Sequence, residues 1–259
     1  MSGSKFALGV GSDFLAAVQF LTRIPIPALP YDANSLARAV KFFPAVGLLI
    51  GGAAALLHLL LAPHFPRLVT AFLVVAFMVV ITGCFHEDGL ADTADGFGGG
   101  SSREQILLIL KDSRIGSYGG AVLSLSLLAR VIMLASMPLA QLPQYLIVAH
   151  VLCRWTTLPL SYYLAPARSQ ENGVQAGQGA RIARLTTRGT FIAGSLFTVA
   201  ICTLALRLHA AAAMAATLVV TLLSGLYYQR KLQGVTGDCF GATNQLTEIA
   251  VYLTGAWIA

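Results

Sequence analysis

Apolar residues fall in runs of seventeen to twenty-one along the chain, separated by polar breaks rich in glycine, arginine or carboxylates. Seven runs stand out, at 42–61, 68–85, 119–137, 144–164, 190–207, 211–227 and 243–259. Each comes close to the ~20 residues that a helix needs to cross the hydrocarbon layer of a bilayer. Pro44, Pro159 and several glycines interrupt them, which membrane helices tolerate better than soluble ones do. The pattern predicts an all-α, polytopic membrane bundle in a single domain, 1–259, with about seven crossings and six or eight as neighbouring counts. The run at 211–227 is unbroken, whereas 243–259 opens on Asn244, Gln245 and Glu248. Residues 6–21 predict a shorter helix lying on or dipping into the membrane, stopped by Pro25, Pro27 and Pro30.

Composition agrees with the pattern. Only 11% of the 259 residues are charged and 56% are apolar, against roughly 25% charged in an average soluble domain. The lysines and arginines also choose a side. With seven crossings, segments 1–41, 86–118, 165–189 and 228–242 share one face and hold thirteen of them, against Arg67 and Arg207 opposite. By the positive-inside bias that face is cytoplasmic, giving an N-in, C-out topology with the basic residues toward anionic lipid. The net charge of +6 forms no dense basic stripe, which argues against nucleic acid as a partner. Cys84, Cys153, Cys202 and Cys239 have no CxxC spacing and indicate neither a zinc site nor a disulfide framework. No cleavable signal peptide stands out.

Against this background HEDGLADTADG, residues 86–96, is anomalous, because six of the eleven acidic residues fall between Glu87 and Asp112. On a helix, Asp88, Asp92 and Asp95 project within about 60° of one another, and Glu87 lies about 100° away. Like charges at this spacing repel, and a neighbouring apolar phase raises the cost. A hard divalent cation such as Mg²⁺ meets the need with carboxylate oxygens. Two such ions would use Glu87, Asp88, Asp92, Asp95 and Asp112 more fully and suit displacement at phosphorus. Asp92, Asp95 and Asp112 are then the candidates for chemistry. A solvated acidic loop and a divalent-cation transport path are the competing readings. A transporter, however, more naturally places its carboxylates at mid-span.

The surrounding residues supply further candidates. Gly96, Gly98, Gly99 and Gly100 allow either a helix stop or close approach of substrate, and no GK[ST] follows to make a phosphate loop. Ser102 and Gln105 match a capping box for a short helix that ends at KDSRIG. There Lys111 and Arg114 can contact phosphate or anchor the chain to the membrane face. Arg181, Arg184 and Arg188, in the Gly/Gln/Ser-rich loop 165–189, carry the same two readings. Arg130 and Arg154 fall inside predicted crossings, where a charge needs a partner or a polar cavity, and Arg154 is the better cavity candidate. His86 can ligate, act as a base or hydrogen-bond at a helix end. A second polar segment, 228–248, contains Asp238, Asn244 and Glu248, which read either as substrate contacts or as helix capping.

FHEDGLADTADGFGG, KDSRIGSYG and GVTGDCFGATNQLTE, with FLTRIPIP and FFPAVGLLIG before them, resemble the cobalamin synthase (cobalamin-5'-phosphate synthase) family along essentially the whole chain. The resemblance implies an inner-membrane, adenosylcobinamide-GDP ribazoletransferase activity that uses Mg²⁺, or alternatively Mn²⁺. It implies adenosylcobinamide-GDP and α-ribazole or its 5'-phosphate as substrates, with adenosylcobalamin or its 5'-phosphate and GMP as products. It carries the acidic motif onto Glu87, Asp88, Asp92 and Asp95, with Asp112 and Asp238 beside them. A looser likeness, to the CDP-alcohol phosphotransferases, rests on Asp92-Thr-Ala-Asp95-Gly96 and ends at Phe97-Gly98-Gly99-Gly100.

Overall fold

A computed structural model describes residues 2–26, 35–168, 182–183 and 186–257. Twelve α-helices account for most of the described residues: α1 (Ser2–Leu21), α2 (Ser35–Ala39), α3 (Phe43–Leu61), α4 (Arg67–Thr82), α5 (Phe85–Gly99), α6 (Arg103–Ile109), α7 (Ser117–Ser136), α8 (Leu142–Trp155), α9 (Thr157–Tyr163), α10 (Arg188–Leu206), α11 (Ala210–Leu232) and α12 (Gly237–Trp257). Extended pairing among them is limited to one isolated parallel bridge, Pro166 with Val235.

Helices cover all seven predicted runs, with differences that have local causes. The run 68–85 ends at Thr82, because Gly83 and Cys84 both adopt left-handed dihedrals (φ 64° and 59°) and close the turn through Cys84 N–H to Val79 O. The run 144–164 is two helices that meet at Thr156. The final helix starts six residues earlier than predicted, at Gly237. By length and apolarity three stretches can cross a membrane: Leu36–Leu61, Ser117–Ser136 and Arg188–Leu232, the last broken by the turn at Arg207–His209. A fourth arises only when α4 and α5, which meet at 88°, are taken as a pair. The fold is therefore a membrane helical bundle in which, among the described residues, length and composition carry three crossings, or four with the bent pair.

At the centre of the bundle lies α8. Tyr145, Leu146, Val148, Ala149, Val151 and Leu152 are all buried, so this helix is wrapped on every side by protein. A helix apolar all round belongs in a core. Around it, α7, α10 and α11 turn Leu125, Leu128, Ile132, Leu196, Leu204, Leu218 and Leu222 outward, as lipid-facing helices do. The α3–α8 contact is close because α3 offers glycine: a Cβ on Gly51 would lie 2.7 Å from the Ile147 Cα and from the Leu146 carbonyl, and one on Gly47 would strike the His150 carbonyl. Small residues four apart are how membrane helices bring their backbones together. At the amino end, buried Asp13 receives Arg38 Nε at 3.1 Å and Lys41 Nζ at 3.5 Å, which fixes α1 against α2 and the turn after it.

Gly51→Ala should lower the thermal midpoint of the detergent-solubilised protein, since overpacking a tight contact costs about 1–3 kcal/mol. Gly52→Ala, with nothing within 4 Å of the added carbon, should hold or slightly raise it, since it removes an unhindered helix-interior glycine. Equal midpoints for the two variants would contradict the α3–α8 packing.

Candidate active site

The 88° turn after α4 sets α5 across the bundle, and its carboxylates then separate by direction. Glu87 points inward. Its Oε1 accepts from Arg130 Nη1 of α7 at 3.0 Å, and the same nitrogen lies 3.6 Å from Glu248 Oε2 of α12. All three side chains are buried. Glu87 was a metal candidate and Glu248 a substrate candidate; the structure places both in an ion network that ties α5, α7 and α12. Arg154 is buried next to it and donates to His150 Nδ1 at 2.9 Å and to the His150 carbonyl at 3.3 Å. His86 is buried near Arg154, His150 and Arg130.

His150, Cys153 and Glu248 bring ligand atoms within 4.8 Å of one another. Arg154 binds that imidazole and Arg130 sits on that carboxylate, so a cation there would face two guanidinium groups. The two arginines already balance Glu87 and Glu248. Asn244 is buried in the same interior with its Oδ1 unpaired, as are Glu87 Oε2 and Glu248 Oε1. Buried polar atoms in this state usually have ordered water beside them.

Asp88, Asp92 and Asp95 leave the network on the other side of α5, as the helical spacing predicts. Asp95 does a structural job there: Oδ2 accepts from Gly116 N–H at 2.7 Å and Oδ1 from Gly119 N–H at 2.8 Å, capping the first turn of α7. A carboxylate on helix amide donors is held by charge-assisted bonds and by the helix dipole. Among the described residues, Asp88 and Asp92 have no such hydrogen-bond partner. Asp92 experiences Asp88, Asp238 and Asp95 as like charges, and Arg168 as the opposing one.

Asp238 reaches this group because α5 and α12 cross on glycine. A Cβ on Gly89 would lie 2.9 Å from the Asp238 carbonyl oxygen, and one on Gly241 would lie 3.2 Å from the Gly89 Cα. Arg168 comes by a second device. Ala167 N–H donates to Val235 O and Val235 N–H to Ala165 O, both at 2.9 Å, stapling the segment after α9 to the one before α12. Gly234 leaves room for it, and Arg103 donates to the Leu232 and Ala167 carbonyls on both sides of the staple. Arg168 Nε is buried without a hydrogen-bond partner, and the guanidinium acts on both Asp92 and Asp238. Sequence reasoning placed Arg168 in a flexible loop and missed it, because a backbone bridge across 68 positions leaves no periodic trace.

Other candidates fall outside this centre. Asp112 and Arg114 form an exposed pair, Nη2 to Oδ2 at 2.6 Å, which holds the Asp112 carboxyl down at about 2. Lys111 is exposed beside them. Gly96 is a packing position, where a Cβ would lie 3.1 Å from the Leu110 side chain of the turn after α6. The predicted cap of α6 is present, with Ser102 Oγ accepting from Gln105 N–H at 3.3 Å and Gln105 Oε1 reaching back to Ser101. Arg181 and Arg184 lie outside the described residues, so the shared face proposed for them with Arg188 does too.

Two cavities flank α5. One, of about 140 Å³, is lined by Phe20, Phe43, Phe85 and Phe240 together with Asp88 and Asp238. The other, of about 200 Å³, is lined by Asp88, Asp92, Ser113, Ile115 and Leu123. Asp88 belongs to both walls, so the outward carboxylates stand where two separate ligands would meet.

The family model described as cobalamin-5-phosphate synthase matches residues 13–256. Similar chains include an adenosylcobinamide-GDP ribazoletransferase of Sinorhizobium medicae, 43% identical over 92% of this chain and 94% of the relative. Proteins of the same name from Vibrio cholerae and a Polaromonas species are 37% and 35% identical, each over 93% of this chain and 91% and 95% of their own. No solved structure matches the chain.

Arg130→Ala should cost about 3–5 kcal/mol, because it strands two buried carboxylates. Replacing Arg130, Glu87 and Glu248 together by Met, Gln and Gln should recover most of that loss in thermal unfolding of the detergent-solubilised protein. A single variant as stable as wild type would refute the network.

Proposed function

The chain belongs to the cobalamin-5-phosphate synthase family, and on that premise we propose that it transfers a phosphorus-linked group from adenosylcobinamide-GDP to α-ribazole or α-ribazole 5'-phosphate, releasing GMP. The observation that carries this reading is Asp88 in the shared wall of two cavities, with Asp92 in one and Asp238 in the other. A two-substrate joining reaction needs such a meeting point, and holding reactants in line contributes much of the rate.

The donor set fits Mg²⁺. Asp88 and Asp92 offer hard oxygen ligands one helical turn apart, in a group of like charges opposed, among the described residues, by Arg168. These two carboxylates are the proposed holders of the metal, and Asp238 completes the negative centre. Glu87 and Asp112, both occupied by arginine, drop from the ligand set. Bound there, Mg²⁺ supplies charge neutralisation for a diphosphate and its leaving oxygen.

The remaining roles belong to side chains. Arg168, with its buried Nε unsatisfied, binds a non-bridging phosphate oxygen and holds the diphosphate against α5. Asp238, at the acceptor side and steadied by Thr236 Oγ1 donating at 3.2 Å, takes the proton as the ribazole hydroxyl attacks phosphorus. Asp95 is unsuited to that step because both its oxygens hold amides of α7. The P–O bond to the acceptor forms as the bond to GMP breaks, and no covalent intermediate with the protein is needed. The site faces the cytoplasm of an inner-membrane protein with its amino terminus inside, as the distribution of basic residues supports. A transporter reading loses ground because the outward carboxylates line two separate pockets on either side of α5 rather than one path.

Purified protein in nanodiscs, given both substrates and Mg²⁺, should release GMP, and a chelator should stop it. Asp92→Asn and Arg168→Met should each reduce turnover on the order of a hundredfold or more, with the thermal midpoint kept. Full activity in either variant would remove that residue from the mechanism. A single reactive thiol introduced as Ser101→Cys into a variant lacking the four native cysteines should resist impermeant maleimide in intact cells and react after permeabilisation. Labelling from outside would reverse the orientation.

A further inference from the structure

We infer that the aromatic cavity between α1, α3, α5 and α12 is the subsite for the planar base of the acceptor nucleoside, an inference that rests on the transferase reading above. Four phenyl rings form its walls. Phe20 stacks on Phe43 with centroids 5.7 Å apart and rings 19° from parallel, and meets Phe85 edge-on at 5.1 Å. Phe240 closes the α12 side. Such walls suit a flat, apolar ring system held by stacking and dispersion.

Size and polarity exclude the other ligand parts. An enclosed apolar cavity of about 150 Å³ holds benzene alone, so this one, about 140 Å³ and open at one side, takes at most one planar ring system, and only with its far edge and sugar extending through the mouth. A corrinoid is far too large. Guanine carries donors and acceptors along two edges, more than His86 and Thr157, the other polar side chains of the lining, can pair, and unpaired polar groups there are costly. The bicyclic base of a ribazole has only one ring-nitrogen acceptor to satisfy. Asp88 and Asp238 line the same cavity, so a nucleoside with its base among the phenyls presents ribose hydroxyls to the carboxylates. A lipid chain gains nothing from those two charges. The diphosphate then approaches from the second cavity, across Asp88.

The test uses the full chain in nanodiscs, with α-ribazole and GMP as calorimetric probes and steady-state kinetics alongside. Phe85→Ala, at a half-exposed wall position, should weaken α-ribazole binding roughly tenfold, the loss of one stacking contact. It should raise KM for α-ribazole and leave GMP affinity and KM for adenosylcobinamide-GDP unchanged, and Phe85→Tyr should restore binding. Unaltered α-ribazole affinity in both Phe85→Ala and Phe20→Ala overturns the subsite, as does a tenfold loss of GMP affinity in their place. So does a phospholipid that α-ribazole cannot displace. Wild-type protein that binds α-ribazole in a Phe85-dependent way but transfers nothing would sink the transferase reading and leave the subsite standing. Turnover with an α-ribazole KM indifferent to both phenylalanines would sink the subsite alone.

Discussion

A guanidinium between two carboxylates inside an apolar bundle is the constraint on which this structure depends. Arg130 has almost no exposed surface, and it contacts Glu87 of α5 and Glu248 of α12. None of the three can be buried alone without a large desolvation penalty, so their helices must arrive together. Once they do, the rotation of α5 is fixed. Glu87 faces in, and the 100° step per residue turns Asp88 and Asp92 out toward the cavities. The inner charges hold the frame, and the outer charges remain available.

Much of the fold was legible because it rests on periodic pattern. The apolar runs mark the helices, and the i, i+4, i+7 spacing of Asp88, Asp92 and Asp95 separates them correctly from Glu87. What pattern does not carry is whether an apolar helix meets lipid or protein. The run 144–164 is apolar enough for either, and only its position at the centre of the bundle makes it a core helix broken at Thr156.

The candidate site was legible by residue type and less so by role. A carboxylate in a motif reads the same whether it faces a ligand, an arginine or a helix end. Asp95 caps α7, Asp112 pairs with its neighbour Arg114, and Glu248 lies with Arg130; each assignment depends on a partner that only the folded chain supplies. Arg168 is the opposite case, an unremarkable position in sequence drawn to the carboxylates by the Ala165–Val235 staple. Asn244 lies in the buried interior behind the site, with its Oδ1 unpaired among the described residues.

The crossing of α5 and α12 at Gly89 and Gly241 brings main chain against main chain. The span from Asp88 to Asp238 is thereby a caliper whose jaws are peptide, insensitive to rotamer changes elsewhere in the bundle. Retuning this protein for a bulkier acceptor would be straightforward along the phenyl walls. It would be blocked at the caliper, where even a methyl group would spread the jaws and the two carboxylates with them.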